Sequence, residues 1–115
     1  MANAYEIPGL RYSLVAGGAV ARYRFVAVNA SGLGIVATAA TPLVGASYNE
    51  VAVGEVLEVV GDGIAIVAAG EAVAAGATVY ADAAGKATDV AGTIVAGVAL
   101  TAATAADQLI SVKLV

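Results

Sequence analysis

With neither histidine nor cysteine in the chain, the side chains left to do chemistry are nine carboxylates and four serines, Ser13, Ser31, Ser47 and Ser111. The same absence excludes imidazole bases, thiolate nucleophiles, zinc clusters and disulfides together. Glu55 and Glu58 stand three apart in "EVLEVV". In a strand, alternation sends them to opposite faces, so they cannot share a substrate as acid and base. Asp62 and Asp82 sit in "GDG" and "DAAG", where a carboxylate serves nearby backbone amides. Serines without an imidazole lack a base to activate them. The Gly85-Lys86 pair is followed by Ala87, and Tyr80 stands where a phosphate loop needs its first glycine. No cradle of amides for a nucleotide is spelled out. These residues point to no active site, no cofactor and no metal.

Charge narrows the partners. The net charge is −4 with only five basic residues, whereas a nucleic-acid surface needs clustered Lys and Arg to displace counterions. Arg11, Arg22 and Arg24 lie early, and Glu50, Glu55, Glu58 and Asp62 crowd the middle. Such polarity can orient a protein on a partner, or be ordinary solubilising charge. Residues 63–81 hold one charge, Glu71, and the chain's mean hydropathy is +0.92. Length alone would allow a membrane span, but Gly63, Gly70 and Gly76 interrupt the run and a central glutamate is costly in lipid. Strands joined by glycine turns explain it, and no membrane partner is expected. Glu6 and Pro8 come early with no basic, apolar leader, so a signal peptide is not expected either.

The elements follow from period-two alternation. In "DQLISVKLV", Ile110, Val112 and Leu114 share one face and Leu109, Ser111 and Lys113 the other, the pattern of a half-buried strand. "ARYRFVAV" sets Tyr23, Phe25 and Ala27 against Arg22, Arg24 and Val26. Tyr23, Phe25 and Tyr80 are expected in the core. "NASG", "GDG" and "DAAG" read as hairpin turns, the last a type I turn closed by Gly85. About eight short, mostly antiparallel strands result, which predicts an all-β small sandwich or barrel. Alanine supplies 30 residues and valine 19, so the core must be built from small side chains, each burying little area. Stability shared with neighbouring copies or a partner is therefore expected. Residues 38–50 read as a long loop around one short extended piece. Residues 1–20 lack sustained alternation and read as an extended N-terminal arm, or a disordered terminus, before a single β domain over 21–115.

Residues 73–115 carry a resemblance. The passage "VAAGATVYADAAGKAT", the later "GVAL", the alanine-rich link and the closing alternating strand resemble the capsid cement, or head decoration, proteins of tailed bacteriophages. The matching positions are Ala74, Gly76, Val79, Tyr80, Asp82, Gly85, Lys86, Gly97, Ala99, Leu100, Val112 and Leu114. Ala106-Asp107 stands where many relatives have Gly-Asp, which puts that turn's geometry in question. The resemblance implies a non-enzymatic β domain on the outer surface of a virion, made in the host cytoplasm. It implies the major capsid protein as partner, and often a homotrimer that strengthens capsomer contacts. In that setting Tyr5, Ile7, Pro8, Leu10, Arg11, Tyr12 and Tyr48 are candidate capsid or subunit contacts, and Gly76, Asp82, Gly85 and Gly97 are turn or scaffold residues. The alternative is a ligand- or glycan-binding β module of a phage fibre or surface protein. It would need an aromatic-lined pocket from only six aromatic residues.

Overall fold

The structure, a computed structural model, describes residues 4–115. Every helix or strand among them is a strand: β1 (Ile7–Val15), β2 (Phe25–Val28), β3 (Gly34–Val36), β4 (Gly45–Ser47), β5 (Val56–Ala68), β6 (Thr78–Ala81), β7 (Ala87–Thr88), β8 (Gly97–Ala99) and β9 (Leu109–Leu114). They pair antiparallel in the order β3-β2-β4-β5-β9-β8-β6-β7, curled into a half-barrel. Val59 and Val60 pair with Tyr12 and Arg11 of β1 and also with Ser47 and Ala46 of β4. β1 and β4 therefore flank β5 on opposite edges. This is the small all-β architecture that alternation and turn spacing predict. No helix of the described residues is long and apolar enough to cross a membrane.

"GDG" is not a hairpin turn. The chain continues through it as one thirteen-residue strand, β5. The pairing with β1 slips twice between Pro8 and Arg11, opposite these glycines, and Gly63 takes φ +88°. An irregularity of this kind bends a strand and changes which residues face the core. Leu57 and Val59 face one core cluster and Val60 the other; beyond the irregularity, Ala65 and Val67 join Val60's cluster. β5 can thus line two cores and exchange β4 for β9 as its neighbour.

The main core has eighteen buried residues, ten of them alanine, gathered around Phe25, Ile110 and Leu114. The second holds Ala16, Val20, Val26, Val51, Leu57 and Val59. β2 is buried on both faces, with Phe25 and Ala27 in the first cluster and Val26 in the second. Tyr23 and Tyr80, expected inside, are only half-buried. Tyr80 points away from the core-facing Val79 and Ala81, and Tyr23 holds φ +64°. That left-handed conformation costs a bulky residue on the order of 1–3 kcal/mol.

The segment read as an arm is extended, but Ile7–Val15 is hydrogen-bonded along β5 of its own chain. It lacks alternation because nearly all of it stays exposed; backbone pairing, with little apolar burial, holds it in place. Residues 1–3 of that segment lie outside the described residues. β4 emerges from the 38–50 loop. "NASG" joins β2 to β3 and "DAAG" joins β6 to β7. In the latter, Gly85 at φ +75° donates its amide to the Asp82 carbonyl at 3.1 Å. The Asp82 carboxylate accepts from the amides of Ala84 (2.8 Å) and Lys86 (2.9 Å). Gly76 sits at an open turn, while a side chain on Gly97 would run into the Lys113 carbonyl. Before β9, Asp107 itself takes the left-handed position at φ +69°, which aspartate tolerates better than most residues.

Candidate functional site

Two exposed surfaces gather the distinctive side chains. The first crosses β1, β5 and the end of β4. Val15 lies opposite Val56 and Ser13 opposite Glu58, and the Ser13 hydroxyl donates to the Glu58 carboxylate at 3.0 Å. Beside them the Arg11 guanidinium stacks 4.0 Å from the Tyr48 ring centre, and Arg22 lies 4.6 Å from that of Tyr23 and 5.9 Å from that of Tyr48. Arg22 Nε also donates to the Tyr48 carbonyl at 3.1 Å, and Arg11 pairs with Glu6 at 2.5 Å. The result is a ladder of alternating guanidinium and phenol rings, held by cation–π attraction.

The second surface is the convex side of the sheet, away from the main core. The register aligns Ile7, Ile64, Lys113, Val98 and Thr78 across five strands. Ile7 is 61% exposed and Val98, Leu100 and Leu109 between 36% and 38%, so the row is the centre of an apolar surface with Lys113 in it. Surfaces of this kind mark contacts with other proteins. Ser111, expected on the polar outer side of β9, is fully buried. Its hydroxyl accepts from the Tyr5 amide and donates to the Tyr5 carbonyl, both at 2.6 Å. The N-terminal segment therefore crosses this face and covers it at that point.

The contact residues named from sequence divide between these surfaces. Tyr5 and Ile7 belong to the apolar one, and Arg11 and Tyr48 meet in the ladder. Pro8 and Leu10 are exposed at the irregularity in β1. Tyr12 turns inward: its ring packs against the second cluster and its hydroxyl donates to the Val44 carbonyl at 2.5 Å. Burial raises its phenol pKa above the ordinary 10.0. Arg22, Val98, Leu100 and Leu109 join these surfaces without having been named. The alternation of arginine with aromatic residues in "ARYRF" was the available signal for Arg22, while the others depend on strand register.

Most of the carboxylates serve local structure. Glu55 accepts from the Ala52 amide (2.6 Å) and Asp62 from the Gly63 amide (2.8 Å). Among the described residues no three potential ligands cluster as a metal site. A cleft of about 240 Å³, lined by residues such as Pro42, Leu43, Ile94, Val95 and Leu114, has only apolar side chains. Among the described residues, no aromatic ring lines it or two more open clefts.

Asp107 is paired with Lys86 at 2.6 Å. The hydrogen bond from Lys86, then its charge and a smaller effect of Arg24, hold the Asp107 carboxyl below its ordinary value. The stabilisation from this lowered pKa is complete above the unfolded value of about 3.9 and is lost as pH falls through the folded one. Lys86→Met is expected to raise the Asp107 carboxyl pKa toward the ordinary aspartate range, read by carbon-detected NMR titration. An unmoved titration would show that the pair is not formed in solution.

No curated protein matches the chain significantly. Among solved structures it is similar to the head fiber gp8.5 N base in bacteriophage phi29, with a TM-score of 0.70 at 20% identity, covering 92% of this chain and 93% of that one. At that identity the likeness concerns the fold. The phage cement protein model matches residues 6–114. That span takes in all nine strands and, Tyr5 apart, both exposed surfaces, and with it the chain belongs to the phage cement protein family and is a virion structural protein.

Proposed function

We propose that this chain is a capsid decoration protein that docks on the outer surface of a phage head, engages the major capsid protein and ties neighbouring capsomers together without chemistry. The observation that carries this reading is the family match over residues 6–114 on a domain whose β1 and convex face leave Ile7, Leu10, Val98 and Leu100 in solvent. Specific interfaces bury about 800 Å² on each partner, and a thin alanine core gains from such burial. Binding that favours the assembled head over its separated parts stabilises it by mass action. The segment 1–20 supplies contacts, with Tyr5, Ile7, Pro8 and Leu10 foremost, and residues 21–115, joined by Ala16 and Val20 in the second core, form the scaffold. Copies work as a homotrimer, made in the host cytoplasm, with neither nucleic acid nor membrane as partner.

Deleting residues 1–13 would remove most of β1 and confuse folding with binding. The better variant is Ile7→Ser with Leu10→Ser, since both side chains are exposed and such changes shift stability by only about 0.5 kcal/mol. On heads assembled without this protein, its occupancy is expected to fall at least about tenfold, the equivalent of about 1.4 kcal/mol, with unchanged thermal unfolding. Equal occupancy would remove these residues from the interface. Sedimentation should give three times the 11.1 kDa of one chain; a persistent monomer, free and on heads, would overturn the trimer.

A further inference from the structure

The turn that carries Arg22, Tyr23 and Arg24 is held unusually firmly for an exposed segment. Tyr23 donates its amide to the Ser47 carbonyl (3.1 Å) and accepts from the Ala68 amide (2.9 Å). The Ser47 hydroxyl accepts from the Arg24 amide (2.9 Å) and donates to the Ala21 carbonyl (2.6 Å). This framework keeps a tyrosine at φ +64°, a position that glycine or asparagine occupies with far less strain. The ring at this costly position is the one on which Arg22 lies.

Among the described residues, Arg22 and Arg24 form no salt bridge. Arg22 donates through Nε to one carbonyl, and Arg24 through Nη1 to the carbonyls of Arg22 and Tyr23. A guanidinium has five donors, so most of theirs are uncommitted. Of the acids nearby, Glu6 is paired with Arg11, Glu58 with Ser13 and Asp107 with Lys86, while Glu50 lines a cleft beside Arg24 without forming a salt bridge to it. Stacking on Tyr23 and Tyr48 pre-orders the Arg22 fork, and the backbone carbonyls do the same for Arg24. Less side-chain freedom then remains to be lost on binding.

We propose that the Arg22–Tyr23–Arg24 turn, braced by Arg11 and Tyr48, is a carboxylate-receiving platform whose partner is an acidic protein surface. The proposal rests on the head-binding role above and adds the chemistry of the surface met there. Planar forks suit carboxylates in bidentate geometry. A nucleic acid fits poorly, because the chain's five basic residues are too few to follow a phosphate backbone.

The test uses the whole chain and two probes. A hexaglutamate peptide is expected to shift the Nε–Hε NMR signals of Arg22 and Arg24, while hexalysine leaves them unmoved. Arg22→Gln with Arg24→Gln should weaken peptide binding at least tenfold and reduce occupancy on heads lacking the protein by a similar factor. Tyr23→Asn should weaken both while leaving the melting temperature unchanged or higher, which a purely structural role for Tyr23 would not do. Unmoved arginine signals, or head binding by the double glutamine variant equal to that of the original chain, would overturn the platform. So would a DNA duplex that shifts the same signals as strongly as the peptide. If the peptide binds at the platform but the original chain does not bind heads, the platform stands and the head-binding role falls.

Discussion

Phe25→Ala is expected to destabilise the fold by about 3–5 kcal/mol, a large share of the roughly 5–15 kcal/mol of net stability a domain possesses. Phe25 is the chain's single phenylalanine and is fully buried. Its environment sets the cost near the upper end. The cluster around it includes Ala27, Ala37, Ala46 and Ala87, and alanine methyl groups have no length with which to reach into a vacated space. The backbone is held as well: the Phe25 amide donates to the Gly85 carbonyl (2.7 Å) and its carbonyl accepts from the Ala37 amide (2.9 Å). A cavity must therefore persist, and its volume adds to the lost transfer energy. Urea unfolding should show a lower midpoint with an unchanged slope. Phe25→Leu should cost markedly less because it fills much of the same volume. A loss below about 1 kcal/mol for the alanine variant would mean that the sheet collapses onto the space, contrary to this account.

Gly63→Ala is expected to cost about 3 kcal/mol or to release β1 from the sheet. The residue sits at φ +88°, and an added Cβ would stand 2.5 Å from the Ile7 carbonyl oxygen and 2.6 Å from the Gly9 amide nitrogen. Those are main-chain atoms of the paired strand, so no side-chain rotation relieves the overlap. Either β5 straightens, which spoils the change of core-facing residues between Val60 and Ala65, or β1 moves away. In the second case Tyr12 and Leu14 leave the second cluster and Tyr5 leaves Ser111. Hydrogen exchange at the β1 amides and limited proteolysis across residues 6–16 report the release, and urea unfolding gives the total. Gly18→Ala is the contrast, since nothing lies within 4 Å of a Cβ there; its effect should stay within about 0.5 kcal/mol. Equal behaviour of the two variants would remove the irregularity at Gly63 from its role.

Much of this architecture is written locally. "NASG" and "DAAG" are hairpin turns because aspartate or asparagine at one end and glycine at the other satisfy short-range geometry without help from the rest of the chain. Ile110, Val112 and Leu114 face the core because alternation against Lys113 leaves few other arrangements. "GDG" shows the limit. Two glycines around an aspartate fit a hairpin or a bent continuous strand equally well, and the choice depends on β1, whose pairing partner lies some fifty residues away. β1 itself was illegible as a strand because, Tyr12 and Leu14 apart, its side chains are exposed. A hydrophobicity pattern records burial, and this strand is held by its backbone.

The same division applies to the surfaces. From the residues alone came the absence of imidazole and thiol chemistry, a core of alanine and valine, the all-β class and the stretch from Val73 that marks the family. All of these depend on composition or on neighbours a few positions apart. Only the tertiary structure decided that Arg11 and Arg22 both stack on Tyr48, that Ile7 aligns with Ile64 and Val98, and that Ser111 is covered by Tyr5. Each joins residues distant in sequence through the register of several strands. In a sheet, one residue of slip at Gly63 would send those side chains to the opposite face.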